Sequence, residues 1–161
     1  MGKRGDKTMN DTENRGEKAV ELHCKLYPFN TLGSYKYVVV CSFYKGKKLL
    51  SRRKDRNTWE TQGGHIECGE TPIEAAKREL YEESGVVEAT LYPVCDYRGW
   101  TQYGEANGTT FFAIVEKLGD LPESEMAEAK CFDELPDELT YPHVTPALFM
   151  ESQIAVRNRN K

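Results

Sequence analysis

TPIEAAKRELYEESG, residues 71–85, is the stretch from which the rest of the chain is placed. Thr71 precedes Pro72 and is followed three residues later by Glu74, a capping box with proline at the first helical position, and Gly85 supplies a stop. The spacing predicts one helix between them. At 100° per residue, Ile73, Ala76 and Leu80 fall on an apolar stripe, while Glu79, Glu82 and Glu83 occupy an adjoining arc of about 100°. Local physics opposes that acid. Glu79 forms like-charge pairs with Glu82 and Glu83 one turn on, each costing roughly 0.2–0.5 kcal/mol. Glu82 and Glu83 also lie in the last turn, where the helix dipole disfavours negative charge by about 0.3–1 kcal/mol. The plain explanation is a solvated acidic face, with Arg78 offsetting part of the repulsion through Glu82 at i,i+4. The functional one is a site for a hard divalent cation, which takes carboxylate and carbonyl oxygens.

Upstream of this helix, SYKYVVVCSFY (Ser34 to Tyr44) and KKLLSRR (Lys47 to Arg53) are expected as a hairpin turning at Lys45 and Gly46. Three consecutive valines suggest a strand buried on both faces. Downstream, VEATLYPVCDYRGW and GTTFFAIVEKL are expected as strands separated by YGEANG. Near the end, Thr145 is the expected N-cap of a second helix, with Pro146 at its first position and an apolar set of Leu148, Phe149, Met150 and Ile154. Strands interspersed with two helices imply an α/β sandwich. Residues 1–18 are polar, with too little apolar surface to offset the entropy of ordering them, and are expected as a flexible arm. Residues 19–161 are expected as one domain.

A chain of 161 residues with a net charge of −4 has no overall basic field to draw it to nucleic acid or an anionic membrane. The basic stretch Lys45 to Arg56 is expected to be a solvated hairpin rim, with a phosphate-attracting surface as the second reading. Five scattered cysteines without a C-x-x-C pair suggest neither a disulfide framework nor a zinc site. With no apolar run of membrane-spanning length, a soluble cytoplasmic protein is expected.

The register of the acidic helix with its upstream glycines carries a resemblance. From Gly64 the chain runs through five residues to Glu70, then seven more to Arg78-Glu79-Leu80-Tyr81-Glu82-Glu83-Ser84-Gly85-Val86. This resembles the Nudix hydrolase box, G-x5-E-x7-R-E-U-x-E-E-x-G-U with U a bulky aliphatic, at every fixed position. Seven specified letters would coincide by chance at roughly one start in 10⁸ to 10⁹, so the match is specific.

The resemblance implies an α/β/α sandwich around a central mixed sheet, and hydrolysis of a pyrophosphate linkage in a nucleotide with Mg²⁺, or Mn²⁺ as substitute. By position in the box, Glu82 and Glu83 should be metal ligands, Glu79 a ligand or the general base, and the Gly64 carbonyl a further ligand exposed by a glycine loop. Arg78 should orient a box glutamate, and Glu70 should be structural or support a ligand, with direct metal contact as its second reading. A glutamate beyond the box often contributes in this family, and Glu105 and Glu116 are candidates. Nucleoside triphosphates, including oxidised ones, are the first expected substrates. ADP-ribose or a nucleotide sugar comes next, and an RNA end is disfavoured by the acidic balance. A non-catalytic nucleotide-binding regulator is the reading from another class. The expected partner is the nucleotide itself, with no nucleic acid and no membrane; a homodimer is left open.

One departure stands out. The family's usual approach to the glycine pair ends in proline, whereas here it reads Trp59-Glu60-Thr61-Gln62-Gly63-Gly64. Thr61 and Gln62 are expected either to offer polar groups to a nucleotide or to be a neutral loop change. His65 is expected to pack or be solvated, with approach to a phosphate as its second reading, and Cys68 is expected to be a small buried filler. Trp59, Tyr97, Trp100 and Tyr103 are core or hairpin aromatics from which a base-stacking residue could come.

Overall fold

Lys45 and Gly46, with φ of 52° and 80°, turn the chain between strands β2 (Tyr37–Tyr44) and β3 (Lys47–Arg53). Two consecutive left-handed residues suit the right-handed twist of a two-residue hairpin. The computed structural model containing this hairpin describes residues 22–160, so the expected arm at residues 1–18 lies outside the described residues. The remaining strands are β1 (His23–Pro28), β4 (Trp59–Glu60), β5 (Gln62–His65), β6 (Val86–Thr101), β7 (Gly104–Leu118) and β8 (Met126–Phe132). Among the described residues there are two helices, α1 (Pro72–Ser84) and α2 (Thr145–Arg159).

The eight strands form one sheet in the order β1-β6-β7-β2-β3-β4, with β5 also pairing β2 and β8 pairing β3. β2 runs parallel to β7 while every other named pair is antiparallel, which makes the sheet mixed. Alternation along β2 sends Val38 and Val40 to one face, where they meet Leu49, Phe111, Ala113 and, from α1, Ala75, Ala76 and Leu80. Cys41 faces the other way and joins Leu50, Phe112, Leu148 and Phe149 of the α2 side. Val39 packs against that second cluster, so the three valines do serve both faces. The result is an α/β/α sandwich with a core on each side of the sheet.

α1 is framed as its sequence predicts. Thr71 Oγ1 accepts from the Glu74 N–H (3.3 Å), and Glu74 Oε1 accepts from the Thr71 N–H (3.0 Å). Gly85 closes the helix at φ 83° and donates its N–H to the Tyr81 carbonyl. Its role is also steric, since a Cβ there would lie 2.6 Å from the Asp120 carbonyl oxygen.

Several expectations are corrected. YGEANG does not separate two strands: Glu105, Ala106 and Asn107 pair with Trp100, Gly99 and Arg98 inside the β6–β7 ladder, and the turn falls at Gln102 and Tyr103. Cross-strand contacts override the weak propensity here, with Arg98 bonded to Glu105 (2.7 Å) and lying over the Trp100 ring. Thr145 is the first residue of α2 rather than its cap; it is buried, and Val144 is the N-cap without a side-chain bond. Met150 and Ile154 are exposed, and Ile73 of α1 is exposed where Ala75 is buried. β8 carries no strand signal of its own, since MAEAKCF has a helix-like composition, and only pairing with β3 reveals it. Among the described residues, no helix is long and apolar enough to cross a membrane.

Candidate active site on the acidic helix

The last two turns of α1 lie against β5. Glu83 turns toward the sheet, is only 6% exposed, and accepts a hydrogen bond from the Gly63 N–H at 2.9 Å. Glu79, one turn earlier, lies over Gly64: a Cβ on that glycine would sit 2.5 Å from Glu79 Oε2. Glu82 points outward, its side chain 48% exposed. Gly63 and Gly64 are therefore not a loop, as their glycine content suggested, but strand residues paired with Val39 and Val38. Glycine is required because a side chain at Gly64 would displace the carboxylate, and one at Gly63 would strike the Val38 carbonyl.

Arg78 organises the acids. Its Nε donates to Glu70 Oε2 at 2.6 Å and its Nη2 to Glu70 Oε1 at 3.0 Å, a bidentate clamp. Nη2 also reaches the His65 carbonyl, while Nη1 donates to Glu79 Oε2 (3.0 Å) and Glu82 Oε1 (3.3 Å). Glu70 additionally accepts from the Glu67 N–H, which ties the 66–71 loop to the helix. The Arg78 hydrogen bonds hold the Glu70 carboxyl down at about 2 and raise the guanidinium above its ordinary value.

Burial acts the other way on the sheet-facing acids. It pushes the Glu83 carboxyl up to about 9, with neighbouring Glu79, Glu60 and Glu125 adding repulsion against the Gly63 hydrogen bond. Glu79 is also raised, chiefly by burial and against the pull of Arg78. Neither Glu60 nor Glu125 was singled out from sequence. Glu60 is buried on β4, pushed up to about 7 by desolvation, and pairs with Arg56 at 3.3 Å. Glu125 precedes β8 and pairs with Arg53 at 3.3 Å. Of the sequence candidates, Glu105 is engaged with Arg98, and Glu116 accepts from Thr90. Position relative to α1 depends on the β3–β8 pairing, which sequence spacing does not reveal.

Gln62 is corrected most sharply. It is fully buried and bonded to Ser42, Ser51 and the Leu49 carbonyl, so it faces the core and offers nothing to a nucleotide. Cys68 is exposed rather than a buried filler. His65 packs on Tyr37 with ring centroids 4.5 Å apart, and Trp59 packs edge-on against Phe132. Tyr103 is exposed at the hairpin turn. In the basic stretch, Arg52, Arg53 and Lys54 are matched by Glu128, Asp55 with Glu125, and Glu123, which fits the solvated-rim reading.

The donor chemistry suits a hard cation: carboxylates whose burial and mutual repulsion raise their proton affinity are relieved by positive charge. Among the described residues, however, no three acidic, histidine or cysteine side chains already converge as a coordination set. Arg78 currently holds one oxygen each of Glu79 and Glu82.

Comparison with known proteins bears on the family and the fold. The NUDIX domain model matches residues 35–146, which contain the whole box and the strands around it. The chain belongs to the Nudix family. Among relatives, an RNA pyrophosphohydrolase of Mannheimia succiniciproducens is 38% identical over 66 residues, 41% of this chain and 33% of that protein. One from Tolumonas auensis is 35% identical over 66 residues, 37% of its length. This Nudix chain thus matches about a third of the length of those relatives. Among solved structures, the Bacillus subtilis pyrophosphohydrolase BsRppH superposes with a TM-score of 0.73 at 24% identity, covering 85% of this chain and 92% of that one. The NUDIX domain of Shewanella oneidensis NrtR, solved with ADP ribose, gives a TM-score of 0.61 at 17% identity, covering 74% and 86%. These likenesses establish the Nudix sandwich fold.

Proposed function

We propose that this Nudix chain hydrolyses a pyrophosphate linkage in a nucleoside 5′-triphosphate, releasing the monophosphate and pyrophosphate, with Mg²⁺ as its ion and Mn²⁺ as substitute. The observation that carries the reading is the pair Glu79 and Glu83, held against Gly64 and Gly63 at a cost in local electrostatics that a bound cation would relieve. Glu79, Glu82, Glu83 and the Gly64 carbonyl are the groups that would hold it. When bound, the ion supplies neutralisation of phosphate charge and a lowered pKa for water.

The chain's own residues do the rest. Glu79, with proton affinity raised by burial, is suited to take the proton of the attacking water as its oxygen bonds phosphorus and the bridging P–O bond breaks. Arg78 fixes the rotamers of Glu79 and Glu82 while Glu70 holds Arg78. Glu70 is thus a structural partner.

A second reading is the 5′-triphosphate end of an RNA, favoured by the relatives named RNA pyrophosphohydrolases. It displaces ADP-ribose and nucleotide sugars as runner-up. We place the reaction in the cytoplasm, in keeping with five free thiols.

The test is a panel of nucleoside triphosphates, oxidised purine triphosphates, ADP-ribose and a short 5′-triphosphorylated RNA. Each is incubated with Mg²⁺ or with EDTA, and pyrophosphate, phosphate and nucleotide products are separated. Mg²⁺-dependent pyrophosphate release that is lost in Glu83→Gln supports the reading. Tight binding without turnover of any member would replace it with a nucleotide-binding regulator.

A further inference from the structure

The departure from proline before the glycine pair places a buried amide at the junction of three strands and the catalytic helix. Gln62 has no exposed surface. Its Oε1 accepts from Ser42 Oγ of β2 at 2.8 Å, and its Nε2 donates to the Leu49 carbonyl (3.2 Å) and to Ser51 Oγ (2.9 Å) of β3. Ser51, also fully buried, donates its single hydroxyl proton to the Glu83 backbone carbonyl at 2.7 Å. That carbonyl lies in the last turn of α1, where no intrahelical donor remains. The next residue after Gln62 donates its N–H to the Glu83 carboxylate. Glu83 is thus contacted at both ends, its backbone by Ser51, which accepts from Gln62, and its side chain by Gly63.

The proton order leaves one solution. Ser51 spends its proton on Glu83, so it must accept from Gln62; the second Nε2 proton serves Leu49, and the amide oxygen is left for Ser42. Flipping the amide would set oxygen against the Leu49 carbonyl. Each member is buried, so water does not replace a lost partner, and removing one falls first on the group it leaves unpaired.

We propose that Gln62, acting through Ser51, is a positioning residue that fixes Glu83 for cation binding. Gln62 takes the place of proline as the device that sets the approach of β5 to the acidic helix. This rests on the reading of Glu83 as a cation-holding group.

Ser42 provides the control, because it anchors the amide without touching Glu83. Ser51→Ala, Ser42→Ala, Gln62→Met and Glu83→Gln are compared with the unaltered chain in two assays. One is Mn²⁺ binding without substrate, followed by electron paramagnetic resonance; the other is stability to urea. Ser51→Ala and Gln62→Met are expected to weaken Mn²⁺ binding by about 10- to 100-fold, the usual effect of removing a group that orients a ligand. Turnover should fall with KM little changed. Ser42→Ala should lose stability while keeping Mn²⁺ affinity within about 3-fold. Unchanged Mn²⁺ affinity in a folded Ser51→Ala protein, with Glu83→Gln impaired, overturns the positioning role and leaves the site assignment standing. Equal loss of affinity in Ser42→Ala and Ser51→Ala makes the network merely structural and overturns it too. Mn²⁺ binding that is absent from the unaltered chain, or unaffected by Glu83→Gln, overturns both.

Discussion

Gly64 and Glu79 are complementary: the carboxylate of one occupies the space where the other would carry a Cβ, 2.5 Å from its Oε2. Gly64→Ala is therefore expected to push Glu79 aside without disturbing the β2–β5 ladder. A displacement on the scale of 1 Å in a reacting group costs about 100-fold, and kcat/KM for the best panel substrate should fall by that order. Circular dichroism should remain unchanged. An alanine variant with full activity would show that Glu79 does not need this seat.

Glu83 makes stability depend on pH in a definite direction. Its carboxyl is raised from 4.5 to about 9 in the folded chain, so the native state binds the proton more tightly than the unfolded one. Without a divalent ion, this contribution is complete below about pH 4.5 and is lost as pH rises toward about 9. Glu60, raised to about 7, acts in the same direction over a narrower window. Urea denaturation in EDTA should give lower stability at about pH 8.5 than at about pH 6, and Glu83→Gln should flatten the slope. Mg²⁺ should restore stability at the alkaline end by binding the ionised site. A wild-type stability that rises over this interval would contradict the buried, proton-retaining Glu83.

Arg78→Lys keeps the charge and loses the fork. Lysine cannot hold both oxygens of Glu70 while reaching Glu79 and Glu82. Turnover is expected to drop about 10- to 100-fold, and amide exchange at residues 66–70 to quicken as the loop loses its clamp. Hydrogen exchange read by mass spectrometry separates the two effects. Unchanged protection there would mean that the clamp is not what orders the loop.

On the opposite face of the sheet, Phe149 of α2 is 1% exposed and packs edge-on against Phe43 at 5.6 Å. Phe149→Ala should cost about 3–5 kcal/mol in urea denaturation, since it empties the center of that cluster. Mn²⁺ affinity of the remaining folded protein should be retained, because the acidic helix belongs to the other core. A loss below about 1 kcal/mol would show that the α2 side tolerates a cavity.

The acidic helix was legible in the sequence because its determinants are local. Thr71, Pro72, Glu74 and Gly85 are capping signals that act within a few residues, and the 3.6-residue period places Glu79 and Glu83 on neighbouring positions of one face whatever surrounds them. The β2–β3 hairpin was legible for the same reason, through Lys45 and Gly46. What the sequence left open depends on partners distant along the chain. Gln62 looked like a polar loop residue until β2 and β3 supplied Ser42, Leu49 and Ser51 to saturate it. Glu125 joined the electrostatics of Glu79 and Glu83 only because β8 folds back beside β3. The sequence by itself determined which residues form the acidic helix and its register with Gly64. Only the tertiary structure decided which acids are buried, which are held by Arg78, and which buried amide supports them, because desolvation and hydrogen-bond saturation are properties of packed surroundings.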